Sequence, residues 1–345
     1  MNSSDFIYHP KNHARETPDK LAYVIPEENV SVSYGKLDKR SNQITHVLHD
    51  AGLDIGSGIA FLVENREGFF EICWAAQRAG FHYTPISTHL KTNEIIYIVT
   101  NCEAKAFILS ARFADMASEL AEHLPDSTRL FSLGGVLEGY QEIESLLAQA
   151  STEAVADETA GSSMLYSSGT TGHPKGIRHP LSGNAPDYCP PRSEQFKRRY
   201  QMDTDTIYLS PAPLYHAAPL AFTMATMAFG GTCVIMKRFD PALALEFIER
   251  FRVTHSQWVP TMFVRLLRLD ESIRTRYDLT THQVAIHAAA PCPVDIKREM
   301  IAWWGPIVNE FYAGSEGVGT TFISAEEWLR KPGSVGRSVD GTIHI

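Results

Sequence analysis

Tyr166-Ser167-Ser168-Gly169-Thr170-Thr171-Gly172-His173-Pro174-Lys175-Gly176 gathers five hydroxyl side chains, three glycines and one lysine into eleven residues. Glycines let backbone N–H groups turn toward an anion and approach it, hydroxyls add donors, and the lysine adds charge. A polyphosphate needs that combination. A flexible Ser/Gly/Thr linker has a similar composition. It does not require Pro174 to fix the backbone before Lys175, nor the apolar lead-in Met164-Leu165, nor the continuation Gly176-Ile177-Arg178-His179. The P-loop of nucleotide triphosphatases places Lys and then Ser or Thr directly after its last glycine. Here His173 and Pro174 separate Gly172 from Lys175, and Gly176 follows, so a Walker loop is excluded.

The 345 residues are enough to bury a large core and to form two or more subdomains. Hydrophobic residues make up 44% and charged residues 21%, an ordinary globular balance. A formal charge of −9 argues against a nucleic-acid surface, which needs a concentrated basic face. Local basic runs such as Lys197-Arg198-Arg199 are short and read as solvated. The start, Met1-Asn2-Ser3-Ser4-Asp5-Phe6, shows no basic segment followed by an apolar core, so no secretory signal is expected. Five widely spaced cysteines without a Cys-x-x-Cys pair suit a reducing cytoplasm and disfavour a structural zinc site. The uncharged run Pro219 to Met236 changes character at Gly230-Gly231. It reads as a buried helix followed by a buried strand, not a transmembrane segment.

Hydrophobic patterning gives a strand at 21–25, another at 31–34, and a helix on which Leu37, Ile44, Val47 and Leu48 share one face before Gly52. From Gly58 a βαβ rhythm begins, with strands at 59–63, 83–86 and 106–109 and helices at 67–79 and 93–100. Alternation of this kind implies a mostly parallel sheet covered on both faces by helices. Residues 111–160 read as surface helices and a connecting loop, and 178–205 as an irregular excursion. A second α/β block follows, with strands at 206–209, 232–236, 256–259, 284–287 and 307–311. Its helices are expected at 218–229, 241–251 and 260–269. Functional loops in such sheets lie beyond the carboxyl ends of strands, which singles out 210–217, 288–292 and 312–317.

The opening stretch resembles, almost letter for letter, the phosphate-loop signature of the adenylate-forming superfamily. That superfamily includes acyl-CoA and aryl-CoA synthetases, firefly luciferase and the adenylation domains of peptide synthetases. The resemblance implies that Ser167, Ser168, Gly169, Thr170, Thr171, Gly172 and Lys175 hold the phosphates of ATP. Each of the three strand-end stretches then supplies a further match. In Pro211-Ala212-Pro213-Leu214-Tyr215-His216, the resemblance places His216 beside the carboxylate of the acid and the thiol path. A helix N-terminal or core histidine is the alternative, and no base role is assigned. In His287-Ala288-Ala289-Ala290-Pro291, the residues Ala289, Ala290 and Pro291 would flank adenine, or else form a tightly packed strand end. The third stretch resembles the family's Tyr-Gly-x-Thr/Ser-Glu motif. Glu310, Phe311 and Tyr312 would lie at the nucleotide, Ser315 at the α-phosphate, and Glu316 would bind Mg²⁺ through a hard carboxylate oxygen. Thr170, Lys175, His216 and Glu316 would stand nearest the chemistry. Ala313-Gly314 departs from the family pattern, and Gly314 removes a side chain that commonly lines the acyl pocket.

Lys331-Pro332-Gly333-Ser334-Val335-Gly336-Arg337 resembles the segment before the family's small barrel. Lys237-Arg238 falls where the family has a basic residue near CoA, or else caps a strand end. Thr223, Met224, Met227, Trp258, Val259 and Met262 are candidate acyl-pocket walls with Gly314, or else ordinary core. The expected fold is α/β, with two stacked subdomains at about 1–165 and 166–330. Residues 331–345 would begin a barrel that is incomplete, with the C-terminal domain absent. Because the chain stops at Ile345 inside an expected strand, the sequence reads as a fragment with weak binding and slow turnover. The function implied is ATP-dependent activation of a fatty or bulky alicyclic or aromatic acid to acyl-AMP and then acyl-CoA, in the cytoplasm, with ATP, CoA and Mg²⁺. An acyl-AMP ligase that loads a carrier protein, and a non-catalytic acyl-nucleotide-binding module, stay open as alternatives. No acidic partner for an amino-acid ammonium stands out. Oligomeric state is not legible.

Overall fold

The computed structural model describes residues 7–167, 174–314, 317 and 319–342. The chain forms two compact units. One comprises Met1–Ala22, Val32–Glu194 and Leu214–Ala217, and the other Tyr23–Ser31, Gln195–Pro213 and Ala218–Ile345. Residues 166–194, expected to open the second subdomain, fall in the first unit.

The first unit is built on a six-stranded parallel sheet. Its spatial order is Gln141–Glu142, Arg129–Leu133, Ala104–Ser110, Gly58–Leu62, His82–Pro85, Ser162–Ser163. Every residue of Gly58–Leu62 is buried, as expected for a strand covered on both faces. Leu62, Phe107 and Leu109 pack with Ile95, Ile98 and Val99 of the helix Thr92–Asn101. In the helix Tyr34–Asp50, Leu37, Ile44, Val47 and Leu48 are all buried, and Ser33 caps its start by accepting from the Lys36 N–H. The strand Arg129–Leu133 was not expected. Only Leu130, Phe131 and Leu133 mark it in sequence, and Ser132 among them is fully buried.

The second unit is built on a nine-stranded sheet. The parallel pairs run from Leu21–Ile25 through Thr232–Ile235, Ile207–Ser210, His255–Trp258 and Val284–His287 to Val308–Ala313. Thr320–Ile323 and Arg337–Asp340 extend it antiparallel, and Val30–Ser33 lies beside Leu21–Ile25 at the opposite edge. The suspicious apolar run resolves as expected into the helix Ala217–Ala228 and the strand Thr232–Ile235. No helix among the described residues is long and apolar enough to cross a membrane. The excursion at 178–205 is less irregular than its composition implies, since Pro191–Tyr200 is a ten-residue helix. Its leading proline occupies the first turn, where a missing N–H breaks no helical bond. Tyr200 at its end is buried against Phe196 and Phe222.

Candidate active site

Leu165–Ser167 and Lys175–Ile177 form an antiparallel hairpin, with Lys175 opposite Ser167, Gly176 opposite Tyr166 and Ile177 opposite Leu165. Ser168, Gly169, Thr170, Thr171, Gly172 and His173, which follow Ser167 in sequence, lie outside the described residues. Lys175 is exposed on the second strand of this two-stranded ribbon. Two tyrosines fix the ribbon to the helix Thr92–Asn101. The Tyr97 hydroxyl donates to the Pro174 carbonyl (3.3 Å), and the Tyr166 hydroxyl donates to Asn101 Oδ1 (2.6 Å). The chain reaches the ribbon through Gly161, where a Cβ would stand 2.2 Å from the Ala76 carbonyl oxygen and 2.6 Å from that of Phe81. Only glycine passes there.

His216 belongs to the same unit. Its ring packs at 4.5 Å from that of Tyr215, which in turn meets His89 edge-on at 6.5 Å. The turn is held from below by Asn65, whose buried side-chain oxygen accepts from the Leu214 N–H at 2.9 Å. The imidazole is surface-exposed, yet it is desolvated enough, with the charge of His89 nearby, to lower its pKa. It is therefore neutral at pH 7, and can accept or donate a hydrogen bond without carrying charge.

In the second unit, parallel pairing brings the carboxyl ends of Ile207–Ser210, His255–Trp258, Val284–His287 and Val308–Ala313 to one sheet edge. Ala288 is buried there, whereas Ala289, Ala290 and Pro291 are exposed. Ala289 has φ +75°, a left-handed conformation that a Cβ disfavours and that clusters at ligand sites. Tyr312, at the end of the neighbouring strand, leaves 63% of its surface exposed. An accessible aromatic face and a side-chain-poor turn therefore sit on adjacent strands, an arrangement suited to a flat heterocycle. Phe311 is half-buried, and Gly314 follows the strand. Ser315 and Glu316 lie outside the described residues. Among the described residues no three His, Cys, Asp or Glu side chains stand together as a metal site.

Glu310 is buried, pairs in register with His287, and accepts from Lys297 Nζ at 2.6 Å. Sequence reading missed Lys297, which looks like one more helix charge in Val294-Asp295-Ile296-Lys297-Arg298. The available signal was its spacing from Met300 and Ile301, which puts it on the buried face of the helix Val294–Trp304.

The remaining candidates are placed as follows. Thr223 and Met227 are fully buried on the helix Ala217–Ala228 and Met224 nearly so; the Thr223 hydroxyl donates to the carbonyls of Pro219 and Leu220. Trp258 is enclosed among Phe239, Phe263 and Trp304, and spends its indole N–H on Ser256 Oγ at 2.6 Å. Met262 belongs to the same core and Val259 borders it. Lys237 is tied down at both ends, its N–H to Glu27 (2.8 Å) and its ammonium to Glu28, while Arg238 is exposed. Of the basic pair, Arg238 alone is left to reach a ligand.

With this geometry in place, comparison with known proteins is informative. The chain belongs to the AMP-binding enzyme family, whose pattern matches residues 10–345. It is 25% identical over 335 residues to long-chain-fatty-acid–CoA ligase FadD13 of Mycobacterium tuberculosis (strain ATCC 25618 / H37Rv), covering 95% of this chain and 64% of that protein. It is 26% identical over 345 residues to 4-hydroxybenzoate–CoA/benzoate–CoA ligase of Rhodopseudomonas palustris, covering 98% of this chain and 61% of that protein. The chain thus spans less than two thirds of the length of these relatives. In fold it is similar to the inhibitor-bound N-terminal domain of FACL13 from Mycobacterium tuberculosis. The TM-score is 0.78 at 23% identity, covering 96% of this chain and 81% of that one.

Proposed function

We propose that this chain forms the acid- and nucleotide-binding part of an AMP-forming acid–CoA ligase. The observation that supports this most is the hairpin that pairs Ser167 with Lys175 on either side of the glycine-rich sequence, in a chain of the AMP-binding enzyme family. In this reading backbone N–H groups and hydroxyls of 167–172, with Lys175, hold the β- and γ-phosphates of ATP. Ala289, Ala290, Pro291 and Tyr312 receive the adenine, and Ser315 reaches the α-phosphate. A carboxylate oxygen of the acid attacks the α-phosphorus, the bond to the bridging oxygen breaks, and pyrophosphate leaves. The product is an acyl-AMP mixed anhydride. The CoA thiolate then attacks the acyl carbon and AMP departs. His216, neutral and exposed, borders the acid carboxylate. Glu316, three residues beyond the strand Val308–Ala313 in sequence, would supply the carboxylate oxygen that Mg²⁺ takes. The ion, when bound, would neutralise phosphate charge.

The acid is read as a fatty or bulky alicyclic or aromatic one. Gly314 leaves room beyond the acyl carbon, with Met224, Met227, Val259 and Met262 as apolar walls and Thr223 and Trp258 behind them. Gly314→Met is therefore expected to shift preference toward shorter or smaller acyl groups by about 10-fold, the worth of one or two methylenes in an apolar pocket. Titrating wild type and variant with non-hydrolysable acyl-adenylates of graded chain length checks this. Unchanged selectivity would overturn the depth argument.

A further inference from the structure

A cavity of about 320 Å³ opens in the second unit, away from the residues discussed so far. Arg274, Tyr277, Leu279, His282, Trp303 and Trp304 contribute to its lining. Trp303 and Trp304 end the helix Val294–Trp304, and His282 stands two residues before the strand Val284–His287. Ile307, also in the wall, directly precedes Val308–Ala313. These strands run parallel, so the cavity lies at their amino ends, opposite the edge that carries the Ala289 turn and Tyr312.

Three nitrogens on this lining, Arg274 Nε, His282 Nδ1 and Trp304 Nε1, are buried without a hydrogen-bond partner among the described residues. The tautomer of His282 follows from its neighbours. The Trp258 indole, which only donates, gives its hydrogen to Ser256 Oγ, and Ser256 Oγ stands 2.6 Å from His282 Nε2. Ser256 is fully buried, and among the described residues Nε2 is the acceptor left for its hydroxyl proton. The imidazole hydrogen therefore sits on Nδ1. Burial, with His255 nearby, pushes the pKa of His282 down to about 3, so the ring is neutral. His282 is 5% exposed and meets the Trp304 ring edge-on at 5.0 Å, while the Arg274 guanidinium stands 5.7 Å from the Trp303 ring centre.

Buried donors are nearly always paired, so an orphan calls for an explanation. Three orphan N–H groups on one lining call for an acceptor from outside the chain. Arg274 decides its charge. The guanidinium is permanently cationic, it makes no ion pair among the described residues, and no aspartate or glutamate lines the cavity. The rings of Tyr277, Trp303 and Trp304 decide its body, which has to be flat and apolar. The volume falls at the small end of the range for small-molecule sites, about 300–1,000 Å³. We propose that this cavity is a second small-molecule site, which takes an aromatic carboxylate of one or two rings. The carboxylate lies on Arg274 and the ring among Tyr277, Trp303 and Trp304, with the neutral donors of His282 and Trp304 in the wall. This site does not depend on the nucleotide-binding reading above.

Calorimetric titration of the 345-residue chain with naphthoate, and with naphthalenemethanol as its uncharged counterpart, tests the assignment in wild type and Arg274→Met. Wild type should bind naphthoate saturably and about 10- to 100-fold tighter than the alcohol, the usual worth of a hydrogen bond to a charged group. Arg274→Met should lose a similar factor. An excess of non-hydrolysable acyl-adenylate should leave naphthoate binding in place, because the two sites lie at opposite ends of the strands. A second readout needs no folded Arg274 variant: the indole N–H resonance of Trp304 in wild type should shift with naphthoate and stay put with acyl-adenylate. Equal affinity for the alcohol, unchanged binding by a folded Arg274→Met protein, or an unmoved Trp304 resonance would each overturn the proposal. Complete displacement by acyl-adenylate would send naphthoate to the acid site, which removes the second site and leaves the proposed function standing. If the chain binds no acyl-adenylate, the proposed function fails, while Arg274-dependent naphthoate binding still supports the second site. No naphthoate binding at all leaves the cavity to water and overturns it.

Discussion

Replacing Glu316 by glutamine is expected, on the proposed function, to lower acid-dependent adenylation by about 10²-fold or more, the scale of one strong electrostatic contact to a transition state. Glutamine keeps the size of the side chain but removes the charge that makes it a good ligand for a hard divalent cation. The loss should appear mainly in kcat and not in the apparent affinity for the acid, because the charge is needed where phosphate charge is redistributed as pyrophosphate leaves. Glu316 follows the strand Val308–Ala313 by three residues in sequence and lies outside the described residues. Acid-dependent pyrophosphate exchange measures the step. A normal exchange rate in Glu316→Gln would remove Glu316 from the metal site.

Replacing Arg78 by methionine is expected to destabilise the first unit by about 3–5 kcal/mol, the usual cost of breaking a buried ion pair from one side. The Arg78 side chain is 1% exposed and stands 2.5 Å from Asp38 and 3.6 Å from Glu158. Lys11 continues the chain of charges, meeting Glu158 at 3.0 Å and Asp187 at 3.2 Å. Glu158 and Asp187 lie on either side of the segment that contains the phosphate-loop hairpin, so this network clasps the neck from which the loop is presented. Methionine would leave the Asp38 carboxylate without its cation and Glu158 with Lys11 alone. Urea unfolding followed by a probe in the first unit reads the change. A loss below about 1 kcal/mol would mean that water reaches these carboxylates and the pair behaves as a surface one.

Those two residues illustrate what sequence alone conveys. Glu316 is singled out in sequence because it lies in a motif with fixed neighbours, and the parallel strands that carry such motifs announce themselves as short apolar runs such as those at 59–63 and 284–287. The loops after them could be singled out because chemistry in these sheets gathers at carboxyl ends. Arg78 and Lys297 were illegible as buried charges. Lys297 sits in a helix among other charged residues, and Arg78 ends a largely apolar helix where an arginine reads as a solvated cap; only the packing of distant segments encloses them. The helix Pro191–Tyr200 was hidden by a composition of Pro, Arg and Ser that reads as loop, although Pro191 sits where proline suits a helix start. The Trp258 side chain looked equally suited to an acyl pocket and to a core; its enclosure by three aromatic rings favours the core.

The central claim is that these 345 residues hold an acid and an adenine nucleotide in one site. Calorimetric titration of the chain with a non-hydrolysable acyl-adenylate, against AMP alone and the free acid alone, tests it most directly. The account predicts saturable one-to-one binding of the joined molecule at least 10-fold tighter than of either part, as expected when two adjoining subsites are filled at once. Binding no tighter than that of AMP, by a chain that melts cooperatively, would contradict it.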